Sequence, residues 1–78
     1  MNEKELVEFI AKSLVDNSEK VHVNMIESEK STILELSVDE ADIGKIIGKH
    51  GRIAKAIRTI LSAVSNKSNK RVLLDIID

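Results

Sequence analysis

Gly48 and Gly51, three positions apart, enclose Lys49 and His50 within the run Ile43-Gly44-Lys45-Ile46-Ile47-Gly48-Lys49-His50-Gly51-Arg52. Glycine leaves room for a ligand's backbone to come into van der Waals contact, and it permits dihedrals that other residues avoid. Gly51 stands where a following helix would open, and the free N–H groups and positive dipole end there suit a phosphate. Lys49 adds a flexible cation, and His50 a donor whose charge depends on pH. Arg52, Lys55 and Arg58 continue the positive surface along that helix, while Lys45 reaches either phosphate or water. Beside them, Ile43, Ile46 and Ile47 offer an apolar wall for base faces, using whatever edges the core leaves exposed. Gly44 is read as a site of close helix packing rather than as part of this surface.

Catalysis has little to build on. His22 and His50 are the two histidines, no carboxylate cluster accompanies them, and there is no cysteine. Without a nucleophile–base pair or a metal-ligand spacing, an enzyme is disfavoured and no metal, cofactor or small-molecule substrate is expected. The G-x-x-x-x-G-K-[ST] spacing of a nucleotide-binding P-loop is missing. Phe9 is the only aromatic residue. Sheets and barrels that stack bases on aromatic rings are therefore disfavoured too.

Charge supports an anionic partner once its distribution is considered. The net charge is −1. Residues 1–42 carry eleven acids and four bases, residues 43–74 carry eight Lys or Arg and no acid, and Asp75 and Asp78 complete the chain. The local field of the basic segment, not the total, is what an anionic ligand meets. Lys67, Lys70 and Arg71 either extend that track or form a solvated loop.

The elements that must hold the loop can be read from periodicity. Seventy-eight residues, 42% of them apolar, make one small domain (1–78), near the lower limit for a core without staples. No apolar run approaches the roughly 20 residues of a membrane span, and the charged N-terminus has no signal-peptide pattern, so a cytoplasmic location is expected. Leu6, Val7, Ile10 and Leu14 predict a helix from Glu3 to about Asp16, with Asn2 and Glu5 as a capping box. Val21, Val23 and Met25, then Thr32, Leu34, Leu36 and Val38, alternate as two strands joined by the polar stretch Glu27-Ser28-Glu29-Lys30-Ser31. Asp39 caps a short helix from Glu40 to about Ile47. A longer helix follows from Arg52 to about Ser65, with Ile53, Ile57, Ile60, Leu61 and Val64 as its buried stripe. Asn66-Lys67-Ser68-Asn69 forms a loop, and Val72, Leu74 and Ile76 mark the core side of a last strand. The expected architecture is α+β: αββααβ, a three-stranded mixed sheet with three helices packed on one face.

Ile46-Ile47-Gly48-Lys49-His50-Gly51 resembles the I-G-x-x-G signature of KH domains, whose GXXG loop clamps about four nucleotides of a single strand. The αββααβ order resembles the type II KH arrangement, and the resemblance covers essentially the whole chain. Among such domains it is most similar to the bacterial KhpA-type single-KH proteins. That resemblance implies single-stranded RNA as partner, a role as RNA chaperone or post-transcriptional regulator, and links to cell-wall and cell-length control. It also implies pairing, as a homodimer or with a larger KH-containing protein. One departure is Ala54, where many KH domains have Ile; Ile53 and Ile57 flank it and could fill the volume.

Two rival readings differ in class. A helix-hairpin-helix module would place glycines between helices on duplex DNA, but the alternating segments at 21–26, 32–38 and 72–77 oppose it. A pure interaction module would use Ile26, Ile33, Leu73 and Ile77, which fall on the sheet face away from the helices.

Overall fold

The computed structural model describes residues 1–65 and 69–77. Helix α1 runs Glu3–Leu14. Its capping box forms as expected: the Glu5 amide donates to Asn2 Oδ1 at 2.8 Å, and the Asn2 amide to Glu5 Oε1 at 3.1 Å. After a 3₁₀ turn at Ser18–Lys20, strands β1 (His22–Glu27) and β2 (Ser31–Ser37) form a hairpin. Its turn is tightened by the Ser28 amide donating to the Ser31 carbonyl at 2.8 Å. A second 3₁₀ turn, Glu40–Asp42, leads into α2, Ile43–Ile47. A third, Lys49–Gly51, leads into α3, Arg52–Ser65, and β3 spans Arg71–Ile77. Of the expected polar loop at 66–69, residues 66–68, including Lys67, lie outside the described residues.

The sheet order is β1-β2-β3, antiparallel between β1 and β2 and parallel between β2 and β3. A parallel return needs a crossover, and α2 with α3 supplies it. The fold is therefore the mixed three-stranded αββααβ arrangement of type II KH domains. Val21, Val23, Leu34, Leu36 and Leu74 form the sheet's contribution to the core, closed from above by Val7, Ala11, Val15, Ile46, Ile57 and Leu61.

Three expected core positions move outward. Ile60 and Val64 are 44% and 39% exposed, while Ala54 and Ser65 are buried with Ile57 and Leu61. The small side chains at 54 and 65 let α3 press closely on the sheet, which rotates the two larger residues to its flank. Met25 lies near the end of β1 and is 40% exposed.

A polar knot ties the start of α2 to the turn after α1. Asp42, 1% exposed, accepts from the Asn17 amide at 3.0 Å and from Lys45 Nζ at 3.3 Å. Lys45 also pairs with Asp16 at 3.2 Å, and Asn17 Nδ2 donates to Asp39 at 3.2 Å. Bonding from the Asn17 amide, ahead of the Asp16 amide and Lys45, holds the Asp42 carboxyl below its ordinary value against the opposing effect of burial. The folded chain thus binds this proton more weakly than the unfolded one. The associated stability is complete above the ordinary carboxylate pKa of about 3.9 and is lost as pH falls through the lowered value. We expect Asp42→Asn to lower the urea midpoint at pH 7 and to shrink its drop between pH 7 and pH 3. An unchanged pH 3-to-7 difference would show that this carboxyl is not responsible for it.

Candidate nucleic-acid interface

The loop is built by stopping one helix and starting another within four residues. Gly48 ends α2, its amide donating to the Gly44 carbonyl at 2.9 Å, and takes φ 77°, ψ 171°, a region open essentially to glycine alone. Space demands glycine there as well: a Cβ on Gly48 would lie 2.5 Å from Ile53 Cγ1. The Gly51 amide then donates to the Gly48 carbonyl at 3.1 Å, closing the turn. His50 is itself left-handed (φ 58°, ψ 24°), so unusual dihedrals are not confined to the glycines. Histidine is among the few residues that tolerate this region.

The outcome is a bare turn that carries its two side chains outward. Lys49 and His50 are exposed, as are Arg52 and Lys55 on the first turns of α3. Among the described residues, none of these makes an ion pair, so their N–H groups remain available to an anion. Ile47 exposes 38% of its surface beside them, and Ile43 is half-buried.

Other expected site residues are differently placed. Ile46 is fully buried at 0% exposure, because it is the core residue of α2, and it has no edge to offer a base. Lys45 is held by Asp16 and Asp42; those two bonds, Asp16 first, raise its pKa above the ordinary lysine value. Its charge is spent on positioning α2. Gly44 is exposed, with no heavy atom within 4 Å of a would-be Cβ, so the close-packing role expected for it is not seen. Lys70 pairs with Glu27 at 3.5 Å, and Arg71 opens β3 opposite Ser31. Both sit at the start of β3, about 20 Å along the strand from its far end on the spacing of extended chain, and do not continue the loop's basic surface.

Next to the turn lies a cavity of about 310 Å³ lined by Ile47, Gly51, Ala54, Arg58, Asp75 and Ile76. One wall is the loop and α3; the other is β3, the edge strand of the sheet. Arg58 bridges the two, with Nη2 donating to the Leu74 carbonyl at 3.3 Å. Ala54, 4% exposed, contributes only a methyl group to the lining. The two β3 residues were not foreseen, because α3 meets the edge of β3 only through the tertiary fold. A Gly-x-x-Gly turn followed by a basic helix and a groove of this kind can seat a phosphate backbone against the loop and bases in the groove. No group of three or more His, Asp or Glu among the described residues is placed to hold a metal ion. No described helix is long and apolar enough to cross a membrane.

Comparison with known proteins gives relatives along nearly the whole chain. The chain is 62% identical over 77 residues to the RNA-binding protein KhpA of Borreliella burgdorferi, covering 99% of this chain and 94% of that one. It is also 62% identical over 74 residues to RNA-binding protein KhpA of Clostridium perfringens (95% and 99% covered), and 56% identical over 75 residues to that of Aquifex aeolicus (96% and 95%). No solved structure gives a significant match. The sequence model of the KhpA/KhpB KH domain matches residues 4–76, and the chain belongs to that family.

Proposed function

We propose that this chain binds single-stranded RNA by laying a stretch of about four nucleotides across the GKHG turn. Gly48 and Gly51 allow the sugar–phosphate backbone to approach. Lys49, His50, Arg52 and Lys55 face its phosphates, while Ile43 and Ile47 offer their exposed edges to bases. Arg58 lies at the inner end of the same groove. The observation that carries this reading is the exposed turn at Gly48–Gly51 with unpaired cations on and just beyond it, opening onto a groove. The relatives named as RNA-binding proteins support it.

No aromatic platform accompanies the loop, so phosphate contacts supply most of the affinity. With about three phosphates neutralised, the log–log dependence of affinity on salt has a slope of roughly −2 for a short single strand. Titrating a fluorescent uridine heptamer between 50 and 300 mM salt, on the order of the range over which counterion release is read, measures it. A slope near zero would rule out a phosphate clamp.

The family resemblance extends this to a cytoplasmic RNA chaperone or post-transcriptional regulator, linked to cell-wall and cell-length control, with a larger KH-containing protein as a further partner. We also propose self-association through the outer sheet face. Ile26, Ile33 and Leu73 lie side by side across the three strands, and Ile26, Leu73 and Ile77 are 40–45% exposed. Light scattering at tens of micromolar is expected to give the dimer mass, lowered to that of the monomer by Ile33→Glu. A wild-type monomer would contradict it.

A further inference from the structure

The cations around the groove are not equivalent. Lys49, Arg52 and Lys55 stand in the open without ion pairs among the described residues, which suits phosphates. Arg58 differs in three respects. Its Nη2 is tied to the Leu74 carbonyl at 3.3 Å, so the guanidinium crosses from α3 to the edge strand instead of extending freely into solvent. Exposed like those cations, it also lines the 310 Å³ cavity, which they do not. Asp75 borders the same cavity, so a phosphate brought there would be repelled by a carboxylate, whereas a neutral base would not.

The cavity also constrains which base. Its α3 wall carries only a methyl group at Ala54, where a larger side chain would take up depth, and a cavity of about 310 Å³ is large enough in volume for a two-ring base. A guanidinium pinned through one nitrogen keeps other N–H groups in a fixed fork, which matches two adjacent acceptors on one base edge. Among purines, guanine presents such a pair, O6 and N7, whereas adenine offers a donor beside N7. We propose that Arg58 is a base-selecting residue rather than a phosphate contact, and that the groove beside the loop takes a guanine with its O6/N7 edge toward Arg58. This rests on the reading of the loop as an RNA clamp.

The test uses the full chain and four fluorescent heptamers: all uridine, or uridine with guanosine, adenosine or cytidine at the centre. Wild type is expected to bind the guanosine heptamer about tenfold more tightly than the other three. Arg58→Lys keeps the charge but loses the fork, and should bring all four affinities within about twofold of one another with an unchanged salt slope. Ala54→Ile fills the cavity and should remove the guanosine preference while retaining uridine binding; if it does not fold, Arg58→Lys decides alone. The proposal is overturned if wild type shows no guanosine preference. It is overturned equally if Arg58→Lys leaves all four affinities unchanged while Arg58→Gln, which removes the charge, weakens all four alike and flattens the slope by about 0.7, the mark of one lost phosphate. Binding that is abolished at the loop yet blind to base sinks this inference alone. Binding to none of the four sinks the clamp with it.

Discussion

Replacing Lys49 and His50 together with aspartate is expected to weaken RNA binding by at least about a hundredfold and to leave the fold intact. Each of these side chains projects from the turn, is exposed and makes no ion pair among the described residues. Nothing in the core depends on either. Each charge-assisted contact to a phosphate contributes about 1.5–3 kcal/mol, and losing two corresponds to about a hundredfold or more. The substituted carboxylates add repulsion to the loss. His50 is left-handed, and aspartate tolerates that region, so the turn survives the change. Heptamer binding and thermal unfolding, measured on the same preparation, separate the two effects. Unchanged affinity would remove the loop from the account; a collapsed melting temperature would mean that the turn, not its charge, had been disturbed.

The second large effect is expected at Gly48. Gly48→Ala places a Cβ 2.5 Å from Ile53 Cγ1 and 2.9 Å from its Cβ, and forces a side chain into a glycine-only region of dihedral space. The dihedral costs about 1–3 kcal/mol and the overpacking about 1–3 kcal/mol more. For a domain of this size, each kcal/mol lowers Tm by about 4–8 °C, so the combined loss lowers it by about 8 °C at the least and by about 48 °C at the most. Gly51→Ala provides the contrast. Its φ is +73°, but nothing lies within 4 Å of an added Cβ, so only the left-handed cost of about 1–2 kcal/mol applies. Thermal denaturation of the pair checks the ranking; equal losses would mean that the contact with Ile53 is not what restricts position 48.

Much of this architecture can be read from local sequence pattern. Asn2 and Glu5 declared the start of α1, and Thr32, Leu34 and Leu36 declared the inner face of β2, because both signals are local and periodic. The GKHG turn was legible because its glycines punctuate two helical patterns. What periodicity misplaced were residues whose environment is set by distant chain. Lys45 reads as a free cation until the turn at Asp16 and Asn17, more than 25 residues earlier, folds against Asp42. Ile60 and Val64 match the helical period of α3 as well as Ile57 does, and only the depth to which Ala54 and Ser65 let the helix settle excludes them from the core. Ile46 and Ile47 are adjacent and chemically identical, yet one is the buried core of α2 and the other rims the groove. Asp75 and Ile76 entered the site through a parallel crossover that no local pattern reports.

In the proposed complex an RNA strand runs along the bare turn and into the groove beside it. Mapping backbone amide shifts during titration with a uridine-rich heptamer tests this most directly. The largest changes are expected at Gly48 to Arg52, with smaller ones at Ala54, Arg58 and Ile76, and none at Ile26, Ile33 and Leu73 on the outer sheet face. Saturable changes centred on that outer face, with Gly48 to Arg52 unmoved, would contradict it.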